Sequence, residues 1–254
     1  MITTIARHEL FVLFKTGKIW KFLALCQLFL GLVFWWLMQD FLENGQHTLL
    51  ENRLPIGITE KVIHPLFAWT TLFFLFITPL LATHTITQQR KLHIFDLYFT
   101  SAIRYRDIIL GKFLGVLMAQ IFLLLPTLVM PLIISYQDHL DLGQFFSGIF
   151  GLILLQTATL SIAFYVASLC KEPLVATLMI LITLFLLSLL EWGAYFITPS
   201  MTWITELALL YHCQNFFSGI INTKDVLYYA LISIIFLYFS TQRLQKEAIT
   251  KRQG

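Results

Sequence analysis

Charge is scarce in this chain. Asp, Glu, Lys and Arg make up only 12% of its 254 residues, against 58% hydrophobic residues and a mean hydropathy of +0.78. A soluble globule carries about twice that share of charge, so the shortage excludes one. Also missing are the runs of about ten residues of alternating polarity that a membrane β-barrel requires. The apolar runs are roughly twice as long, which leaves helices as the spanning element.

Cysteine is nearly absent too. Cys26, Cys170 and Cys213 are odd in number and widely spaced, so neither a disulfide framework nor a zinc site follows. No H-E-x-x-H, C-x-x-C or G-x-S-x-G occurs, which removes the usual marks of zinc and nucleophile-elbow enzymes. A serine protease acting inside the membrane would pair a span serine such as Ser147 or Ser161 with a histidine on the last span, and the last span has none. Gly111-Lys112 has the look of a phosphate-binding loop, but Arg106 stands where that loop needs its first Gly and Phe113 where it needs Ser or Thr. The expectation is a protein with no catalytic residue, no metal ligands and no ATP site of its own.

What is present is a series of six apolar runs, at about 20–41, 62–84, 108–136, 142–170, 174–197 and 225–243. The fold expected is a single all-α integral membrane domain of six transmembrane helices. The first run has Arg7, Lys15, Lys18 and Lys21 ahead of it and ends without a small-residue cleavage site, which reads as an uncleaved span rather than a signal peptide. Pro79 should kink the second span near one end, and Pro173 suits the first position of the fifth. In the fourth, Gly143, Ser147 and Gly151 recur at four-residue spacing, which suits close approach of another helix. On this map fourteen Lys and Arg fall on one side of the membrane and three on the other, so both termini are expected in the cytoplasm. The pI near 8.7 reflects that topology signal and not a nucleic-acid footprint.

Three segments lie outside the spans. Residues 3–21 suit a helix on the membrane surface, with Arg7, Lys15, Lys18 and Lys21 within roughly 120° of one another. Ile5, Val12, Leu13, Ile19 and Trp20 lie opposite, and Glu9 stands among them as an exception. A plain positive-inside anchor fits those charges as well. Residues 42–61, with Asn44-Gly45 and Pro55, read as a polar loop. Residues 199–224 are too polar to span and too apolar for a free loop, which suggests a re-entrant pair of short helices.

Charge buried in a bilayer is costly, so Glu191, Glu206 and His212 are candidates for lining a substrate path, although Glu191 beside Trp192 would also reach the outer interface. The longest polar interruption, Ile86 to Phe113, carries five of the 17 Lys and Arg. Within it Leu92, Phe95, Phe99 and Ile103 form one apolar helical face among Arg90, Lys91, Asp96, Arg104 and Arg106. Such a helix can dock into a groove on a soluble partner or lie with its apolar face in lipid.

This stretch resembles the membrane subunits of type-2 ABC exporters, in particular the compact six-span permeases of gliding-motility and nitrous-oxide-reductase maturation systems. Their run E-E-R-R-S-G-T-I-E-L-L-L-T-A-P-V, then I-V-L-G-K-F, stands here as QQRKLHIFDLYFTSAI and IILGKF, matching at Arg90, Asp96, Leu97, Thr100, Gly111, Lys112 and Phe113. The opening TIARHELFVLFKTGKIW is similar to the family's A-x-R-R-E-L. The closing HCQNFFSGIINTKDVLYY resembles its last signature through His212, Phe216, Gly219, Asp225 and Tyr228. Departures are Gln88-Gln89 for the acidic pair, His93 for Gly and Ala102 for Pro.

The resemblance implies a permease in a bacterial inner membrane, with residues 86–107 as the segment coupled to an ATPase through Arg90, Leu92, Phe95, Asp96, Phe99, Thr100, Ile103 and Arg104. Residues 3–21 would be the connecting helix and 199–224 the outer re-entrant hairpin. It implies a soluble P-loop ATPase subunit that holds ATP and Mg, a second permease copy or paralogue and, where the system has one, a periplasmic protein. An ATPase-independent channel or secondary carrier is the competing expectation.

Overall fold

The computed structural model describes residues 1–52, 59–92, 104–134, 141–196 and 208–253. These residues are helical almost throughout, and no strand occurs among them. Eight helices follow in order: α1 (Ile2–Lys15), α2 (Lys18–Asn52), α3 (Thr59–Lys91), α4 (Tyr105–Ile134), α5 (Leu142–Leu169), α6 (Pro173–Phe196), α7 (Leu209–Phe217) and α8 (Thr223–Gln253). Six of them, α2 to α6 and α8, are long and apolar enough to cross a membrane. The chain is an all-α integral membrane protein.

Burial divides the six into two groups. In the most apolar stretch of each of α3, α4 and α5, 61% of residues are buried, against 17% in α2 and 22% in both α6 and α8. The first three are the core of the bundle, and α5 packs against α3, α4, α6, α7 and α8. The other three turn apolar side chains such as Leu32, Leu178 and Ile234 outward, as a lipid-facing surface requires.

Local chemistry sets the helix ends. Asp141 caps α5, its carboxylate accepting from the amides of Gly143 at 3.0 Å and Gln144 at 3.3 Å, and Pro173 opens α6, where a missing N–H costs nothing. The single helix expected over 3–21 is broken. Thr16 and Gly17 close α1 on the carbonyls of Val12 and Phe14, and Gly17 has a φ of 66°, a left-handed conformation that only glycine adopts cheaply. The polar stretch after the first span is shorter than expected, because α2 runs on to Asn52.

Nor does α1 offer its whole apolar side to lipid. Its buried stripe is Ile5, Ala6, Glu9 and Leu13, pressed against α4. Gly111 and Gly115 make that approach close. A Cβ on Gly111 would lie 2.7 Å from the Ile5 Cβ, and one on Gly115 would lie 2.9 Å from the Ala6 carbonyl oxygen. This pair, four residues apart, is a small-residue contact of the kind expected in α5. In α5 itself Gly151 faces Phe216 and Gly148 faces the Phe67 ring, whereas Gly143 sits beside the Asp141 cap.

In α3 a proline kink was expected at Pro79. Pro79 lies inside the helix, and two turns of wider π-helix, Thr59–Ile63 and His84–Gln88, interrupt the α-helical spacing. Each inserts about one extra residue per turn, so side chains beyond it are re-aimed. The second insertion sets the directions of Gln89 and Arg90.

Candidate functional site

Three polar side chains meet out of contact with solvent at the end of the bundle that carries both termini. Lys112, in the third turn of α4 and about 10 Å along the axis from its start, is fully buried. Its Nζ donates to Glu9 Oε1 on α1 and to Gln89 Oε1 at the end of α3. Gln89 Nε2 in turn donates to Glu9, 3.0 Å from Oε2 and 3.3 Å from Oε1. Each pair of the three is hydrogen-bonded, so the triangle closes with charge balanced and the glutamine bridging.

The next residue fastens the same helix end in another direction. Arg90 Nη1 donates to the carbonyls of Ser168 and Cys170, both at 3.1 Å, and Nη2 lies 3.0 Å from Glu247 Oε2 on α8. Thr87 Oγ1 donates to the Ala167 carbonyl at 3.1 Å. The last carbonyls of a helix lack intrahelical partners and carry partial negative charge, so the guanidinium suits the end of α5. Lys91 pairs with Glu172 at 2.7 Å, but both side chains are more than half exposed, and such a pair contributes at most about 1 kcal/mol. The buried contacts carry the geometry.

These contacts lie at the two ends of the expected coupling segment, 86–107. Gln89 and Arg90 stand inside it near its start and Lys112 stands five residues beyond its end, and the Gln89–Lys112 bond ties the two ends together across 23 residues of chain. Arg90 is thus in the site. Leu92 is exposed, its amide closing the helix on Gln88. Arg104 precedes α4, its side chain exposed and its carbonyl accepting from the amides of Asp107 and Ile108. Phe95, Asp96, Phe99, Thr100 and Ile103 lie outside the described residues. Glu9, Gln89 and Lys112 were in view in the sequence only as an exception on a helical wheel, a departure from a motif and a motif match. A charged or amide side chain at a position whose helical period is apolar was the available signal.

A second polar cluster joins α7 to the start of α8. His212 Nδ1 is 2.6 Å from Asp225 Oδ1, Asn215 Nδ2 donates to Asp225 Oδ2 at 2.9 Å, and the His212 ring stacks on Tyr228 with centroids 4.1 Å apart. Tyr229 donates to the Leu209 carbonyl at 2.6 Å, and Gly219 turns the chain with a φ of 84°. His212 and Asp225 are both buried. Of the other two candidates for a substrate path, Glu206 and the side chain of Glu191 lie outside the described residues, as does the first half of the expected re-entrant pair. Asp225→Ala strands both donors and should lower stability by about 1–3 kcal/mol, read as a drop in melting temperature of the detergent-solubilised protein.

Among the described residues no three His, Cys, Asp or Glu side chains are grouped as metal ligands would be. The arrangement is built to hold helix ends in fixed relation, and its chemistry is that of paired charges and satisfied carbonyls. No family model matches the sequence, and no curated protein is similar to it.

Proposed function

We propose that this chain is the permease subunit of an ATP-binding-cassette exporter, seated in a bacterial inner membrane with both termini in the cytoplasm. Two permeases, either identical or paralogous, would form the path, and separate P-loop ATPase subunits holding ATP and Mg would drive alternating access. One observation carries this reading. The flanks of the segment between Leu92 and Arg104 are bonded to each other and, through buried polar contacts, to α1, α5 and α8. A displacement imposed there would reach these three further elements of the bundle instead of being absorbed in a slack loop. The sequence motifs around Arg90 and Lys112 support the same reading.

The detergent-solubilised protein should co-purify with a soluble subunit bearing a phosphate loop. Phe95→Asp and Phe99→Asp should each leave the helical content unchanged while separating ATP hydrolysis from transport, measured on the reconstituted complex. Unchanged coupling in both variants would overturn the coupling role of this segment, and ion-coupled transport without any ATPase would favour a partner-free channel or secondary carrier.

A further inference from the structure

The lower end of α3 does not keep one helical spacing. The His84 amide is shared between the carbonyls of Leu80 and Leu81, and the wide turn His84–Gln88 follows. The Gln89 amide then reaches back only to Ile86, and the Leu92 amide returns to ordinary α spacing at Gln88. Wide turns of this kind are rare, hold about one residue more than an α turn and are frequent at functional sites. If this one relaxed to α spacing, its extra residue would pass downstream. Each position beyond it would then be filled by the preceding residue, the chain advancing about 1.5 Å and turning about 100°.

The sequence that follows, Gln88-Gln89-Arg90-Lys91, suits that exchange. In the described register Gln89 Oε1 accepts from Lys112 and Nε2 donates to Glu9, while Gln88 is partly exposed and stands outside the triangle. After the advance Gln88 would stand in the place of Gln89, and the triangle would close again through the same kind of amide. Arg90 would stand in the place of Lys91 and keep an ion pair with Glu172. Gln89 would take the place of Arg90, where its amide can donate to the Ser168 or Cys170 carbonyl but cannot form an ion pair with Glu247. Thr87, inside the turn, would give up the Ala167 carbonyl. The repeated glutamine thus spares Glu9 and Lys112 the cost of an unsatisfied buried group. What separates the two arrangements is the hold of α3 on α5 and α8.

We propose that α3 has two registers about His84–Gln88, one with Gln89 in the buried triangle and one with Gln88, and that passage between them moves Leu92 and the chain behind it relative to α8. The two registers need only the fold, whereas their use in coupling rests on the permease reading.

The test is a double-mutant cycle on the detergent-solubilised full chain, read by the unfolding equilibrium, with helical content checked on each variant. In the parent, Gln88→Ala should change the equilibrium by no more than about twofold, as at any partly exposed position. In the Gln89→Ala background, where Gln88 is the remaining amide, the same substitution should cost roughly fivefold, the usual net weight of a hydrogen bond. Deletion of Thr85, whose hydroxyl donates within α3 to the Leu81 carbonyl at 3.0 Å, removes the extra residue and fixes Gln89 in the triangle at α spacing. In the deletion variant Gln88→Ala should be silent with or without Gln89→Ala. An equal cost of Gln88→Ala in the parent and in the Gln89→Ala background would overturn the two registers. Reconstituted with the ATPase, the deletion variant should hydrolyse ATP without transport, and transport at the parental rate would overturn the role of the passage in coupling. A parent that transports with no ATPase would instead overturn the permease reading, and the mutant cycle would still decide the registers.

Discussion

Lys112→Met should destabilise the protein by about 3–5 kcal/mol, the usual cost of leaving one member of a buried ion pair without its partner. Methionine fills nearly the same volume, so the loss comes from charge and not from a cavity. The Glu9 carboxylate, with 2% of its surface exposed, would then keep only the Gln89 amide. Glu9→Gln/Lys112→Met removes both charges together and should recover most of the stability, since replacing a whole buried pair by neutral groups is often nearly neutral. Unfolding of the four species of this cycle in detergent gives the coupling energy directly. A coupling below about 0.5 kcal/mol would mean that the two residues do not meet as described.

The six spans were legible because length and apolarity in a bilayer admit few solutions, and the helix ends were legible where one residue type has one use. Pro173 at the start of α6 is such a case. Glycine was read less well, and the two failures have opposite signs. Asn44-Gly45 was read as part of a polar loop, yet α2 continues through it, because a glycine inside a long helix costs only about 1 kcal/mol relative to alanine. Gly17 was passed over, yet it ends α1 by a left-handed turn that lets the following helix leave in a new direction.

The polar site was the least legible part. Gln89 is 80 residues from Glu9, and Glu9 is 103 residues from Lys112. Nothing local announces that they meet, because each is buried by an element the others supply. What the sequence does carry is the cost of each alone: a charged side chain on an apolar face demands a partner. Glu9 broke the pattern of α1, and Lys112 stands inside the apolar run that begins at about residue 108, but only Glu9 was read as an exception, Lys112 having been read through motifs alone. Pairing them needed the register of α1 on α4, and that register is set by Gly111 and Gly115. Gly111 had been weighed only as part of a phosphate loop and as a position of the exporter motif.

That register gives the second large effect. Gly115→Leu should detach α1 from α4, with a loss of stability comparable to that of Lys112→Met. The added Cβ alone would stand 2.9 Å from both the Ala6 carbonyl oxygen and the Glu9 Cβ, and the first of these is backbone that cannot rotate away. Overpacking by itself costs about 1–3 kcal/mol. Because relief requires α1 to move as a body, Glu9 moves with it, and the Lys112 contact is lost in the same step. Gly115→Ala adds the same Cβ without the branch and should cost less, with α1 displaced by a smaller amount. Two measurements separate displacement of α1 from general unfolding. Trypsin should cut faster after Lys15 and Lys18, which flank the Gly17 turn, while the helical content of the variant stays near that of the parent. The Glu9–Lys112 coupling energy, measured again in the Gly115→Leu background, should fall toward zero. If it persists at full strength, α1 tolerates the side chain in place and the glycine pair is not what sets the register.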